Sequence, residues 1–232
     1  MEFCLDTGDL EEIKKVVDLY PIHHFSMNPS IAVRCLKGTG RSFLQNAVMI
    51  RDVIGDDAAF YLEAMGDTAE EMMEDARAIC KIVKGNTSVK IPACPEGYKA
   101  IRLLKKEGIR CSCTAIYDFN QAMLAAEAGA KYAAVYVSRL DNAGGNGLEV
   151  VKNIKEAFLK EGITDCKVSA ASLKSAIYLE KAALVGADNV TVTLDMLEKM
   201  AIHPMTPKTL ETFKSDWEGL FGKGIRVANM EM

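Results

Sequence analysis

The chain of 232 residues is poor in the side chains that build several common sites: three histidines, one tryptophan and six prolines. His23 and His24 are adjacent and His203 stands alone. They lack the carboxylate and histidine spacing of a metal-dependent aldolase, and no Ser-His-Asp order is legible. The seven cysteines, Cys4, Cys35, Cys80, Cys94, Cys111, Cys113 and Cys166, form no C-x-x-C pair. An odd, scattered set argues against a disulfide framework or a zinc ribbon, and thiols in apolar runs act as small hydrophobes. The Cys111-x-Cys113 spacing puts both thiols on one face of a strand. No apolar run approaches the ~18 residues of a membrane span. The opening residues lack the basic and apolar regions of a secretory leader. With 28 basic against 32 acidic side chains, a net charge of −4 and no basic run, neither nucleic acid nor an anionic membrane is expected as a partner. Lys37-Gly-Thr-Gly40 follows no strand and lacks the dinucleotide-binding spacing, so it reads as a loop. No metal and no cofactor are expected, and the location expected is the cytoplasm.

What the chain has is alternation. Short β-type runs at 3–6, 24–27, 59–64, 88–92, 110–116, 132–138, 166–171 and 189–194 are each followed by a helical pattern. Asp9 is positioned to cap the first helix. Thr68-x-x-Glu71 is a capping box, and Pro95 suits the first turn of the helix after the fourth strand. Gly85, Gly108, Gly129, Gly162 and Gly186 fall at helix ends, where a left-handed residue is common. Strands alternating with helices require parallel pairing through right-handed crossovers. Eight such units predict an α/β fold of the (β/α)8 TIM barrel type, one domain over 1–232. An additional C-terminal helix is expected over 206–224. Its apolar stripe, Leu210, Phe213, Trp217, Leu220 and Phe221, needs either its own barrel or a neighbouring subunit to cover it.

Barrel interiors are expected to be packed with branched apolar residues, so polar groups near the C-terminal strand ends carry information. Asp6, Asn28, Glu63, Lys90, Thr114, Tyr136, Ser138 and Ser172 all fall there. Lys90, in Ser-Val-Lys-Ile-Pro, is the sharpest. Burial lowers a lysine pKa and exposes a nucleophilic amine; a strand lysine that snorkels to water, or pairs with Asp6 structurally, is the competing reading. Lys167 competes too, but lies at the start of its strand. Asp6 and Glu63 could handle protons or simply balance a buried cation. Tyr136 is either a phenol at the reaction centre or a packing residue. Arg139, with Ser172 and Lys174 at the start of the seventh helix, reads as an anion site with helix amides, or as surface ion pairing.

These residues stand in a wider pattern. Phe3-Cys-Leu-Asp-Thr7, Asn28-Pro-Ser30, Val89-Lys-Ile-Pro92, Thr114-Ala-Ile-Tyr117, Tyr136-Val-Ser-Arg-Leu-Asp141 with Gly144-Gly145, Ala170-Ala-Ser172 and Asp216-Trp217 run in order along the chain. In them the sequence resembles the small transaldolases and fructose-6-phosphate aldolases. The resemblance implies that Lys90 forms an imine with the C2 carbonyl of a ketose phosphate and that Asp6 contacts that lysine. It implies that Asn28 and the hydroxyl of Ser26 meet substrate hydroxyls, and that Glu63 and Thr114 position a catalytic water. Arg139, Ser172 and Lys174 would hold the terminal phosphate. A tyrosine at 136 is the aldolase type, whereas a glutamate at 63 departs from the glutamine usual there. Met27, in Phe25-Ser-Met-Asn-Pro-Ser30, replaces a hydroxyl residue and is expected to alter the pocket. The reading favoured is a fructose-6-phosphate aldolase-like enzyme. The alternatives are a true transaldolase, exchanging between sedoheptulose 7-phosphate and glyceraldehyde 3-phosphate, and a sugar-phosphate-binding barrel without turnover. The family also implies a homo-oligomer, a pentameric ring or decamer.

Overall fold

The computed structural model describes residues 1–230. Eight parallel strands close a barrel in chain order: β1 (Glu2–Asp6), β2 (His24–Met27), β3 (Ala59–Glu63), β4 (Thr87–Pro92), β5 (Cys111–Ile116), β6 (Tyr132–Tyr136), β7 (Lys167–Ala171) and β8 (Asn189–Val192), with β8 pairing back to β1. Strands β6 and β8 are shorter than their sequence patterns, because Val137 and Leu194 already begin helices. Single helices α1 (Leu10–Leu19), α4 (Ala69–Ile82), α5 (Pro95–Lys106) and α6 (Phe119–Ala128) follow β1, β3, β4 and β5. Two helices, α2 (Pro29–Leu36) and α3 (Phe43–Ile54), lie between β2 and β3, with the 37–40 glycine segment as the loop between them. Strand β6 leads into α7 (Val137–Asn142) and α8 (Gly147–Lys160); α9 (Ile177–Leu184) lies between β7 and β8, and α10 (Leu194–Ala201) follows β8.

Local chemistry sets the starts. The Asp9 carboxylate accepts from the Glu11 and Glu12 amides, and the Thr68–Glu71 box is reciprocated. Pro95 opens α5 as its position suggests, and the Cys94 thiol caps the turn by accepting from the Gly97 amide. Gly97 is required there: a Cβ would lie 2.0 Å from the Pro92 carbonyl oxygen, so only glycine lets α5 start directly above the strand that carries Lys90.

The apolar core lies outside the sheet. Leu5, Phe25, Met27, Phe60, Leu62, Val89, Ile91, Val135, Val168 and Val190 are fully or almost fully buried between strands and helices. Cys111 and Cys113 belong to this layer, and all seven cysteines are free thiols. The alternate, inward positions carry Cys4, Ser88, Ser112, Ala134, Ser169 and Asn189 instead. Above the rings of Tyr61 and Tyr132 the interior is therefore lined by small, mostly polar side chains, not packed with branched apolar groups as the fold class led us to expect.

Strand β5 shows how the parity is kept. Cys113 pairs with Ala133 and Ile116 with Val135, so one extra residue is bulged out. Ala115 absorbs it at φ 57°, a left-handed conformation uncommon for alanine. The bulge turns Ile116 out to the buried apolar layer and leaves Thr114 facing the barrel mouth.

The chain divides into two compact units, residues 1–196 and the part beginning at Leu197, with the boundary inside α10. In the second unit α11 (Met205–Phe221) carries the Leu210–Phe221 stripe, and none of its residues is buried. The Trp217 ring lies tilted against Phe221 with centroids 4.5 Å apart, and its indole N–H donates to the Ile225 carbonyl at 2.8 Å, so the tryptophan is anchored within its own unit.

If the core lies between sheet and helices, Phe60→Ala will destabilise the protein by about 3–5 kcal/mol in urea unfolding, whereas Ser88→Ala inside the barrel will cost well under ~1 kcal/mol. Equal losses would contradict this layering.

Candidate active site

A cavity of about 220 Å³ opens at the C-terminal end of the strands and is lined by Asp6, Ser26, Asn28, Lys90, Thr114, Tyr136, Arg139, Ser172 and Lys174. Of the polar residues singled out at the strand ends, Glu63 and Ser138 are missing from its lining. Strand pairing explains the gathering: Asp6 stands beside Ser26 and Glu63 beside Lys90.

Lys90 points inward and is 8% exposed. Its Nζ lies 3.4 Å from the Ser26 hydroxyl and 3.4 Å from Glu63 Oε2. The second contact is an ion pair without good hydrogen-bond geometry, since Oε2 has no hydrogen-bond partner among the described residues. Asp6 Oδ1 is likewise buried and unpartnered among them. Glu63 reaches the amine from the adjacent strand and also borders an apolar groove formed with α2, α3 and α4. Lys167 is excluded from this cluster. It sits at the opposite end of the barrel, 2.6 Å from Glu2 Oε1.

The electrostatics correct one expectation. Burial alone pulls the Lys90 amine toward neutrality, but the fields of Asp6 and Glu63 outweigh it and hold its pKa above the ordinary lysine value. Burial pushes both carboxyls up; the positive charge of Lys90 only partly offsets this. One ammonium thus faces two carboxyls, each with an enhanced affinity for a proton. The amine is therefore not that of an isolated, desolvated lysine.

On the other side of the mouth the Tyr136 phenol and the Thr114 hydroxyl share a hydrogen bond of 3.1 Å. The Arg139 guanidinium lies over the Tyr136 ring at 4.9 Å, which orients both groups. Asn28 Oδ1 accepts from the Ile31 amide at 3.0 Å and caps α2, so it meets a ligand chiefly as a donor through Nδ2.

Three readings change. Lys174 and Ser172 are not at a helix start: α9 begins at Ile177, and the Ser172 amide donates to Thr191 Oγ1 at 3.2 Å with Ser172 itself at φ 60°. No helix N-terminal amides accompany the Arg139 and Lys174 cations and the Ser172 side chain at this rim of the cavity. Ser138 lies in α7, not on a strand, and is buried away from the cavity lining. Met27 does not shape the cavity. It is fully buried behind β2 against Gly8 and Asn46, where outward strand parity directs it.

Sequence reasoning missed Arg34 of α2, which lines the cavity and whose charge reaches Asp6. It also missed Ser112, Ser169 and Asn189 deeper down. Counting inward parity below the strand ends would have found the latter three. Among the described residues no group of three or more His, Cys, Asp or Glu is arranged to hold a metal, and no helix is long and apolar enough to cross a membrane.

The fold and site define a (β/α)8 barrel with a buried lysine between two carboxyls and a cationic rim. Residues 3–231 match the model of the Transaldolase/Fructose-6-phosphate aldolase family. A probable transaldolase of Brachyspira hyodysenteriae is 39% identical over 223 residues, covering 96% of this chain and 100% of the relative. Probable transaldolases of Clostridioides difficile and Methanococcus maripaludis are 36% and 37% identical, each covering 94% of this chain and 98% of the relative. This chain belongs to that family and is an aldolase/transaldolase enzyme. Solved structures share the fold alone. The thiamine phosphate pyrophosphorylase of Pyrococcus furiosus aligns with a TM-score of 0.54 at 16% identity, over 83% of this chain and 85% of its own. The native KDPGal structure gives 0.58 at 16%, over 82% and 80%.

Because Glu63 binds its proton more tightly folded than unfolded, its contribution to stability is complete at low pH. It is lost as the pH rises from about 4 through the raised value. The stability of wild type relative to Glu63→Gln, from urea unfolding, should therefore fall as the pH rises above about 4 and level off once the raised value is passed. A constant difference across that window would show that the carboxyl is not perturbed.

Proposed function

We propose that this enzyme is a lysine Schiff-base aldolase acting on a ketose phosphate such as fructose 6-phosphate, with release of dihydroxyacetone as its favoured outcome. The observation that carries the reading is the buried Lys90 amine at the cavity wall, within 3.4 Å of a carboxylate that can take its proton. Proton transfer to Glu63 leaves a neutral amine, which adds to the C2 carbonyl of the open-chain sugar. Asn28 and Ser26 hold substrate hydroxyls, and Arg139, Lys174 and Ser172 hold the phosphate. Loss of water gives the protonated imine, an electron sink. Asp6 takes the C4 hydroxyl proton, the C3–C4 bond breaks, and its electrons pass through C2 to the imine nitrogen. Glyceraldehyde 3-phosphate leaves and an enamine remains on Lys90. Tyr136, paired with Thr114, gives the proton to C3, and water then frees dihydroxyacetone.

A second reading is transaldolase, in which an aldose phosphate captures the enamine before it is protonated. Glu63 favours it, as do the names of the relatives. A phenol at the cavity wall favours release. Met27 faces away from the cavity, which removes the one feature that suggested a barrel without turnover. The apolar stripe of α11 is proposed to dock on a neighbouring copy, giving a ring-shaped homo-oligomer.

Lys90→Met should abolish turnover, and borohydride reduction with dihydroxyacetone should place the adduct on Lys90 by peptide mass mapping. An adduct on Lys167 alone would overturn the site. Tyr136→Phe should lower aldehyde release without acceptor by roughly 10²-fold, the size of a lost general acid, while transfer to erythrose 4-phosphate persists; unchanged partitioning would remove this role. Light scattering at micromolar concentration should return a multiple of the 25.3 kDa chain, and a monomer would refute the assembly.

A further inference from the structure

The cavity does not end at Lys90. It continues down the barrel axis past Cys4, Ser112, Ser169 and Asn189 to the rings of Tyr61 and Tyr132. Ser112, Ser169 and Asn189 are all more than nine-tenths buried. A barrel usually fills this layer with branched apolar side chains; here small and polar ones leave a well. The Ser169 hydroxyl donates to Asn189 Oδ1 at 2.8 Å. Asn189 Nδ2 has no partner among the described residues, although it is buried. A buried amide donor without an acceptor is normally answered by ordered water. The floor is formed by Tyr61 and Tyr132, edge to face at 5.6 Å, whose rings also wall a second cavity at the N-terminal face. None of these groups has a part in the cleavage step.

The stoichiometry of imine formation gives the well a use. The neutral amine of Lys90 adds to C2, a proton shift yields the carbinolamine, and its hydroxyl is protonated and departs as water. The protonated imine remains. The proton consumed is the one the ammonium gave up earlier, so the step takes an ammonium and a ketone to an iminium and one water. Hydrolysis at the end of the cycle takes one water back. During both steps a sugar phosphate held by the rim cations lies across the mouth, and the space on the far side of Lys90 is the well.

We infer that the polar well beneath Lys90 is a water-binding site, with Asn189 Nδ2 as its principal donor, that takes up the water expelled on imine formation, exchanges it with solvent, and supplies the water for hydrolysis. The inference rests on the Schiff-base reading above.

Dihydroxyacetone carrying the heavy isotope of oxygen at its carbonyl tests it without any carbon–carbon cleavage. Enzyme-catalysed loss of the label into ordinary water, followed by mass spectrometry, reports imine formation and hydrolysis alone. Ser169→Val and, independently, Ser112→Val narrow the well, and Asn189→Ala removes the donor without adding bulk. Each should slow label loss at saturating dihydroxyacetone by about tenfold, the order expected for misplacing a reacting group, while borohydride still traps the full adduct on Lys90. Retained trapping certifies folding, so a variant that fails to fold is replaced by the other two. Unchanged label loss in the three variants overturns the inference. So does a raised KM with label loss at saturation unaltered, which would mean that the well holds a substrate hydroxyl. If Lys90→Met loses label as fast as wild type, the Schiff-base reading itself fails, whatever the well does.

Discussion

A positive charge buried inside a barrel needs negative partners and a polar surrounding, and this requirement organises the molecule. Moving an ammonium from water into a dry interior is prohibitive unless carboxylates and hydrogen-bonding groups stand beside it. Asp6, Glu63 and Ser26 supply them at the mouth. The same requirement extends downward: a branched apolar plug directly beneath Lys90 would strip its solvation further, and serines and an asparagine occupy that layer instead. The apolar free energy that a packed interior would have supplied comes from the other face of the sheet, where Phe25, Phe60, Ile91 and Val135 meet the helices. Site and core are thus separated by strand parity alone.

That separation explains what could be read from sequence. Parallel strands buried on both faces should read as continuous apolar runs, yet these alternate. Ser88 and Lys90 against Val89 and Ile91 is a period of two, and it fixes which way Lys90 points once the strand is granted. The eight units, the Thr68 box, the Asp9 cap and the convergence of Asp6, Lys90, Thr114 and Tyr136 follow from such local signals. The cost was in three places where tertiary structure overrides local pattern. The bulge at Ala115 is invisible because alanine has no preference for left-handed backbone; only the pairing of β5 with β6 demands it. The segment after β7 carries no helix until Ile177 because its backbone turns at Ser172 to give its amide to Thr191. Met27 looked like a pocket residue from its neighbours Ser26 and Asn28, but one step along a strand is one change of face.

The direction of the Lys90 shift was also beyond a one-dimensional reading. Sequence shows that a lysine lies in an apolar run, which suggests a depressed pKa. It does not show that Glu63, on the neighbouring strand, is in register with it, or that Asp6 closes the other side. With both present the resting cluster holds its proton on the amine and keeps two strong acceptors next to it. On the Schiff-base reading proposed above, such an arrangement stores the charged lysine and frees the amine by a short internal transfer.

The choice between release and transfer then becomes a question of where acids stand around one enamine. Glu63 approaches from β3 and Tyr136 from β6, so two proton-carrying groups flank the lysine on different strands, one a carboxyl in contact with the amine and one a phenol hydrogen-bonded to Thr114. A carboxylic acid that has just received the proton of Lys90 is consumed when the carbinolamine loses water. The phenol still carries its proton when the enamine forms, and the Arg139 guanidinium over its ring holds it in place. On this reading the glutamate serves the nitrogen chemistry that both activities share, while the tyrosine serves the carbon protonation that only release requires, and the two residues need not point to different enzymes at all.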